Sequence, residues 1–237
     1  VRALLLQAAH PAALAGVSEH SRYQEDPLGR LAGTTKWLTI TSFGAKEFIE
    51  KEAARVNAMH SKVTGSYIGK DGANHEYAAK AEEYLLWVHC AFTDAFLKSY
   101  IHLGYKFKTS ADQYVMEWAK SAEPLGLSNA PKSVAELEAR LEEFRANSLY
   151  ANETTLDVVK FIMKPPFSKL GLIPFSIFAN AAVATLDPRD VAMLGLKKRG
   201  KVWLKLAKVI LVFLSAILGN ESPSQKFARQ RIDRLRK

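Results

Sequence analysis

Apolar residues in this chain recur every three or four positions, the period of a helix face, and no stretch alternates in twos long enough to predict paired strands. The β-branched cluster Thr39, Ile40 and Thr41 would suit a strand, but nothing nearby offers it a partner. The segment from Pro27 to Gly44 is therefore expected to be helical, with Asp26 as its cap and proline in its first turn. Residues 2–17 predict a short helix broken near Pro11, and Ser18 to Asp26 a loop. Further helices are expected over 48–65, Tyr77 to His102, 111–122 behind Ser110 or Thr109, and 134–147 behind the capping-box pair Ser133 and Glu136. The stretch GKDGANHE should be a polar loop between the helix over 48–65 and the one beginning at Tyr77. Later helices run over 154–163 (stopped by Pro165 and Pro166), 188–195, 201–218 and 226–236. Pro174 to Leu186 is apolar nearly all round and should be buried. With no repeat and no break in composition, residues 1–237 are expected to form a single all-α, multi-helix globular domain.

Composition narrows the chemistry. Cys90 is the sole cysteine, which excludes intrachain disulfides, thiolate zinc sites, cysteine-held iron–sulfur clusters and covalently attached c-type haem. The net charge is +9, but residues 197–237 carry twelve Lys/Arg against Glu221 and Asp233, a balance of +10 that leaves residues 1–196 near neutral. That asymmetry argues against nucleic acid as a partner of the main body. It leaves open a peripheral contact of the basic C-terminal helices with an anionic membrane surface, set against the plainer reading of a core helix with a solvated lysine edge. The longest apolar stretch, Val209 to Leu218, is ten residues with Ser215 inside it, and short of the roughly 20 needed to span a bilayer. The chain begins in mid-pattern without methionine, so an upstream segment is expected. Either a cytoplasmic or a membrane-peripheral location is compatible with this pattern.

One helix face stands out. Ile49, Ala53, Val56, His60 and Val63 share it, while Glu47, Glu50, Lys51, Arg55 and Lys62 fall on the solvent side. A histidine there is either a packed core residue with ordinary hydrogen bonds or a neutral imidazole facing a metal or haem. No histidine has Glu three residues before it, which excludes the helix-borne di-iron pattern; H-E-x-x-H, G-x-S-x-G, Walker and G-x-G-x-x-G motifs are absent too. Haem with one axial histidine asks for little more than an apolar pocket and a cation or hydroxyl nearby. Arg30 and Thr34, four apart on a helix, point the same way.

Several short motifs then recur in order: Gln7, His10 and Pro11; Gly16 and Val17; His20 and Ser21; Asp26 and Pro27; Arg30 with Thr34; His60 with Gly65; and Trp87, Val88, His89. Together they resemble the haem-b oxygenase family that includes latex clearing protein (rubber oxygenase) and MpaB. The match runs from about Leu6 to Gly126 and continues more weakly through Leu172 to Pro174 and Ser224 to Arg231. The resemblance implies a globin-like helical core around one haem b, with His60 as proximal iron ligand and Arg30 and Thr34 as catalytic residues that also shape the cofactor pocket. His89 would line that pocket or support helix packing. It further implies dioxygen and a lipophilic, isoprenoid-like substrate, with oxidative cleavage of a carbon–carbon double bond as the reaction. The alternative is a non-catalytic haem or lipid-binding protein on the same scaffold. Where latex clearing protein has a distal-ligand lysine just before the threonine, this chain has Gly33.

Overall fold

The computed structural model describes residues 1–236. Proline cannot donate to a preceding turn, so the first apolar segment divides at His10 and Pro11 into α1 (Arg2–Ala8) and α2 (Pro11–His20). Asp26 accepts from the Gly29 amide at 2.9 Å and opens α3 (Pro27–Phe43), and α4 (Lys46–His60) follows after Gly44. Then come β1 (Thr64–Ile68) and β2 (Asn74–Ala78), the long α5 (Glu82–His102), α6 (Ala111–Ala119) capped by Ser110, and a 3-10 turn at Glu123–Leu125. The second half comprises α7 (Val134–Asn147), α8 (Glu153–Met163), α9 (Lys169–Ala184), α10 (Pro188–Met193), α11 (Val202–Leu218) and α12 (Pro223–Leu235). The fold is a predominantly all-α domain, as the helical period requires.

The core gathers around α1 and α5. Leu5, Leu6, Trp87, Cys90 and Leu97 are almost fully buried and join Leu137 and Leu141 of α7, Val158 and Val159 of α8, and Leu194. At seven residues α1 is too short to be stable alone, so tertiary burial must hold it. It also carries a charge into the core. Arg2 Nε donates to Asp94 Oδ2 at 2.9 Å, and Arg2 Nη1 donates to the Thr185 hydroxyl at 3.1 Å, linking the start of α1 to α5 and the end of α9.

Several expectations need correcting. GKDGANHE is not a plain loop but the turn and second strand of an antiparallel hairpin, in which Gly65 faces Tyr77 and Tyr67 faces His75. Gly72, in the Asp71-Gly72 turn, has φ +80°, the left-handed region a hairpin turn needs. Gly65 is required for another reason: a Cβ there would come within 2.9 Å of the Tyr77 ring and of the Glu19 carboxylate. Secondly, α4 ends at His60 and α5 begins at Glu82, because Val63 to Ala78 is taken up by the hairpin and its lead-in. Thirdly, α2 extends to His20 across part of the expected loop. Finally, α9 contains Pro174 rather than beginning there and buries only Ala179, Ala181 and Val183, so one face packs and the other is left partly open. At α7, Ser133 accepts from the Glu136 amide at 3.1 Å, but the Glu136 carboxylate takes the Lys132 amide at 2.8 Å and so caps one residue earlier than the box pattern predicts.

Candidate functional site

The site is built on α3 and α4, which pack against each other at the margin of the core. No residue of α3 is fully buried, although the helix carries Leu28, Leu31 and Trp37. A polar contact joins the pair: Lys36 Nζ of α3 lies 2.9 Å from Glu52 Oε2 of α4, and within α4 Arg55 donates to Glu52 Oε1 at 2.6 Å. These two cations cover the Glu52 carboxylate and hold its pKa down to about 2, the Arg55 hydrogen bond contributing most. Glu52 is a structural residue that sequence reasoning missed; an acid beside the Ala53 and Val56 stripe, with Arg three residues on, is the signal that marks it. At its far end α4 is tied to the body by Asn57 Nδ2, 3.5 Å from the Pro124 carbonyl in the turn after α6.

His60 is the last residue of α4, one turn beyond Asn57. It is half-buried on the same face as the buried Ala53 and Val56, as the periodicity predicts. Its Nδ1 is buried without a partner, and among the described residues no hydrogen bond engages the ring. Burial, and secondarily the positive charge of Arg30, lower its pKa, so the neutral imidazole prevails at neutral pH. Arg30 and His60 are thus brought into electrostatic reach of each other from two helices.

Arg30 Nη1 donates to Thr34 Oγ1 at 2.7 Å, realising the four-residue spacing. The Arg30 side chain is exposed, yet desolvation lowers its pKa. Water reaches the guanidinium, while neighbouring protein strips away part of its hydration. The backbone is helical at Gly33, and a Cβ added there would meet nothing within 4 Å.

His89 is buried on α5 with Nε2 unpartnered, and desolvation lowers its pKa to about 4. It lies on the α5 face that carries Leu85, Val88, Phe92 and Phe96, opposite the Trp87, Cys90 and Leu97 core face. That stripe is only partly covered, and Phe96 is exposed. Phe92 and Phe96 stack at 5.8 Å, and Phe96 meets the α6 residue Trp118 edge-on at 5.6 Å. Trp118 Nε1 is likewise buried without a partner. Asn57 ties α4 to the turn that follows α6, and Trp118 of α6 closes the aromatic strip of α5.

The residues present suit a haem. A neutral imidazole free of hydrogen bonds can give its lone pair to iron, a guanidinium answers propionate charge, and the partly open apolar faces of α3 and α5 offer non-polar wall. Among known proteins, no curated sequence and no solved structure gives a match. A family model described as ER-bound oxygenase mpaB/B'/Rubber oxygenase, catalytic domain, matches residues 1–215. With that span matched in a chain of 237 residues, the protein belongs to the mpaB/rubber oxygenase catalytic-domain family, a family of oxygenases.

Proposed function

We propose that the protein is a haem-b-dependent oxygenase acting on a lipophilic, isoprenoid-like substrate, with His60 as the protein ligand to iron. The observation that carries this reading is the His60 ring: held neutral, free of hydrogen bonds, and set beside the Arg30 cation. Haem b, when bound, supplies the activation of dioxygen that no side chain of this protein can supply. Arg30 pairs with carboxylate charge at the pocket mouth or with negative charge that develops on a reacting oxygen. Thr34 fixes the guanidinium by accepting from it, which leaves the threonine hydroxyl proton free for a second acceptor. The Phe92, Phe96 and Trp118 strip takes the hydrocarbon of the substrate and keeps water sparse. His89, neutral above about pH 4, adds a polar atom to that wall without adding charge. The net reaction adds both atoms of dioxygen across a carbon–carbon double bond to give two carbonyl groups, and needs no external reductant.

An absorption spectrum tests the reading. The purified protein should show a Soret band, and His60→Ala should lose it while retaining its helical circular dichroism. A colourless protein that cannot be reconstituted with haem overturns the assignment, as does a His60→Ala variant that keeps haem normally. Gly33 favours carrying a second reading, a non-catalytic haem or lipid carrier, because no side chain projects where the family's distal lysine would stand. Oxygen uptake in the presence of a lipophilic alkene separates the two.

A further inference from the structure

The end of the chain carries an apolar surface that the fold does not cover. Ala181 of α9 packs with Leu204 and Ala207 of α11, with Ala184 and Trp203 against them, so the late part of α9 meets the early part of α11 and the helices run antiparallel. The start of α9 therefore lies beside the end of α11. That tip is open: Leu170 is 82% exposed, Ile173 62%, Phe213 63%, Ile217 63% and Leu218 74%. Beyond a 58° bend, α12 continues the surface with exposed Phe227 and Leu235. A groove of ≈ 400 Å³ is lined there by Phe227, Gln230, Arg231, Arg234 and Leu235, two apolar side chains and two guanidinium groups.

The charges around this tip are predominantly positive. Lys164 and Lys169 flank the start of α9, Lys226 and Arg234 are exposed on α12, and Arg236 is exposed just after it. Of the two acids in the region, Glu221 is taken by Arg229 at 3.0 Å, leaving Asp233. Apolar side chains ringed by cations complement the boundary between acyl chains and anionic headgroups. A second copy of the chain would bring like charge against like. Spanning is not required: among the described residues no single helix is long and apolar enough to cross a membrane, and α11, with 17 residues, is about 25 Å long.

We propose that the tip formed by the start of α9 and the end of α11, with α12 beside it, seats peripherally on an anionic lipid bilayer. Phe213, Ile217, Leu218 and Leu170 enter the acyl boundary, and the α12 cations lie among the headgroups. The inference is independent of haem, and its failure would leave the oxygenase reading untouched.

Cosedimentation of the purified chain with vesicles tests it. Binding should be at least about tenfold stronger to phosphatidylcholine vesicles containing roughly 30% phosphatidylserine than to phosphatidylcholine alone. It should weaken by a similar factor in about 1 M salt. The double variant Phe213→Ser/Ile217→Ser should lose at least about tenfold in binding with an unchanged melting profile. Leu170→Ser, on the other helix, provides a second arm if that variant folds poorly. Lys226→Ala and Arg234→Ala should each lose roughly fivefold. Equal binding to both vesicle types, retention in high salt, full binding by the apolar variants, or a lipid-free dimer dispersed by those same variants would overturn the proposal.

Discussion

At the scale of single residues, physical chemistry separates the histidines by surroundings rather than by sequence. His10 is the N-cap of α2, buried among Tyr84, Trp87 and Phe144, and desolvation lowers its pKa to about 4. Its folded pKa lies below the ordinary value of 6.5, so between those two pH values the unfolded chain binds a proton that the folded chain refuses. The His10 contribution is thus complete above pH 6.5 and is lost as pH falls toward 4, up to about 3 kcal/mol in all. Urea midpoints measured from pH 7 down to 4.5 should fall, and the His10 ring signal should not titrate until near pH 4; a ring titrating near 6.5 refutes the assignment. Gly33 gives a second prediction. Its backbone is helical and its side opens on free space, so Gly33→Ala should stabilise α3 by about 1 kcal/mol. The measurement is a denaturant melt, and a loss of stability would show that the space is in fact needed. The placement of His60 on the apolar face of α4 was legible in the sequence; the reach of the Arg30 charge to its ring was not, because it depends on how α3 crosses α4.

At the scale of elements, α3 is the weakly held piece. It buries no side chain completely, and both its ends are fixed by polar contacts: Asp26 at the start, and at the finish Arg231 Nη2, which donates to the Phe43 and Gly44 carbonyls at 3.0 Å each. Arg231 thereby caps from α12 the unsatisfied carbonyls that every helix end exposes. Arg231→Ala should cost roughly 1 to 2 kcal/mol and speed amide exchange in the last turns of α3, while α5 stays protected. Exchange rising uniformly across the molecule would refute that local role. The hairpin shows where periodicity fails. Five-residue strands give too few alternations to register, and the Asp71-Gly72 turn lay unread inside an apparent polar loop. The ends of α5 and α4 moved inward by the residues the hairpin consumed.

At the scale of the whole molecule, Arg2 and Asp94 join the first helix to the central one, with Thr185 bringing in α9. Both partners of the pair are buried, and removing one leaves the other charge without compensation. Arg2→Ala should therefore cost about 3–5 kcal/mol, read from a denaturant melt, and Arg2→Ala/Asp94→Ala together should cost less than the two single changes added. Additive losses would mean that the two charges do not act as a pair. What the sequence determined by itself was the class of fold, most helix bodies and caps, the His60 face, the Arg30–Thr34 spacing and the family. All but the family follow from periodicities and bonds that span three or four residues and are blind to the rest of the chain; the family was legible as a resemblance, in the order of short motifs along the chain. Only the tertiary structure decided that Glu52 binds α3 to α4, that Arg231 closes α3, and that the apolar faces of α5, α9 and α11 remain partly open. Each depends on contacts between residues far apart in the chain, and an apolar stripe looks the same in sequence whether a core, a cofactor pocket or a lipid surface is to cover it.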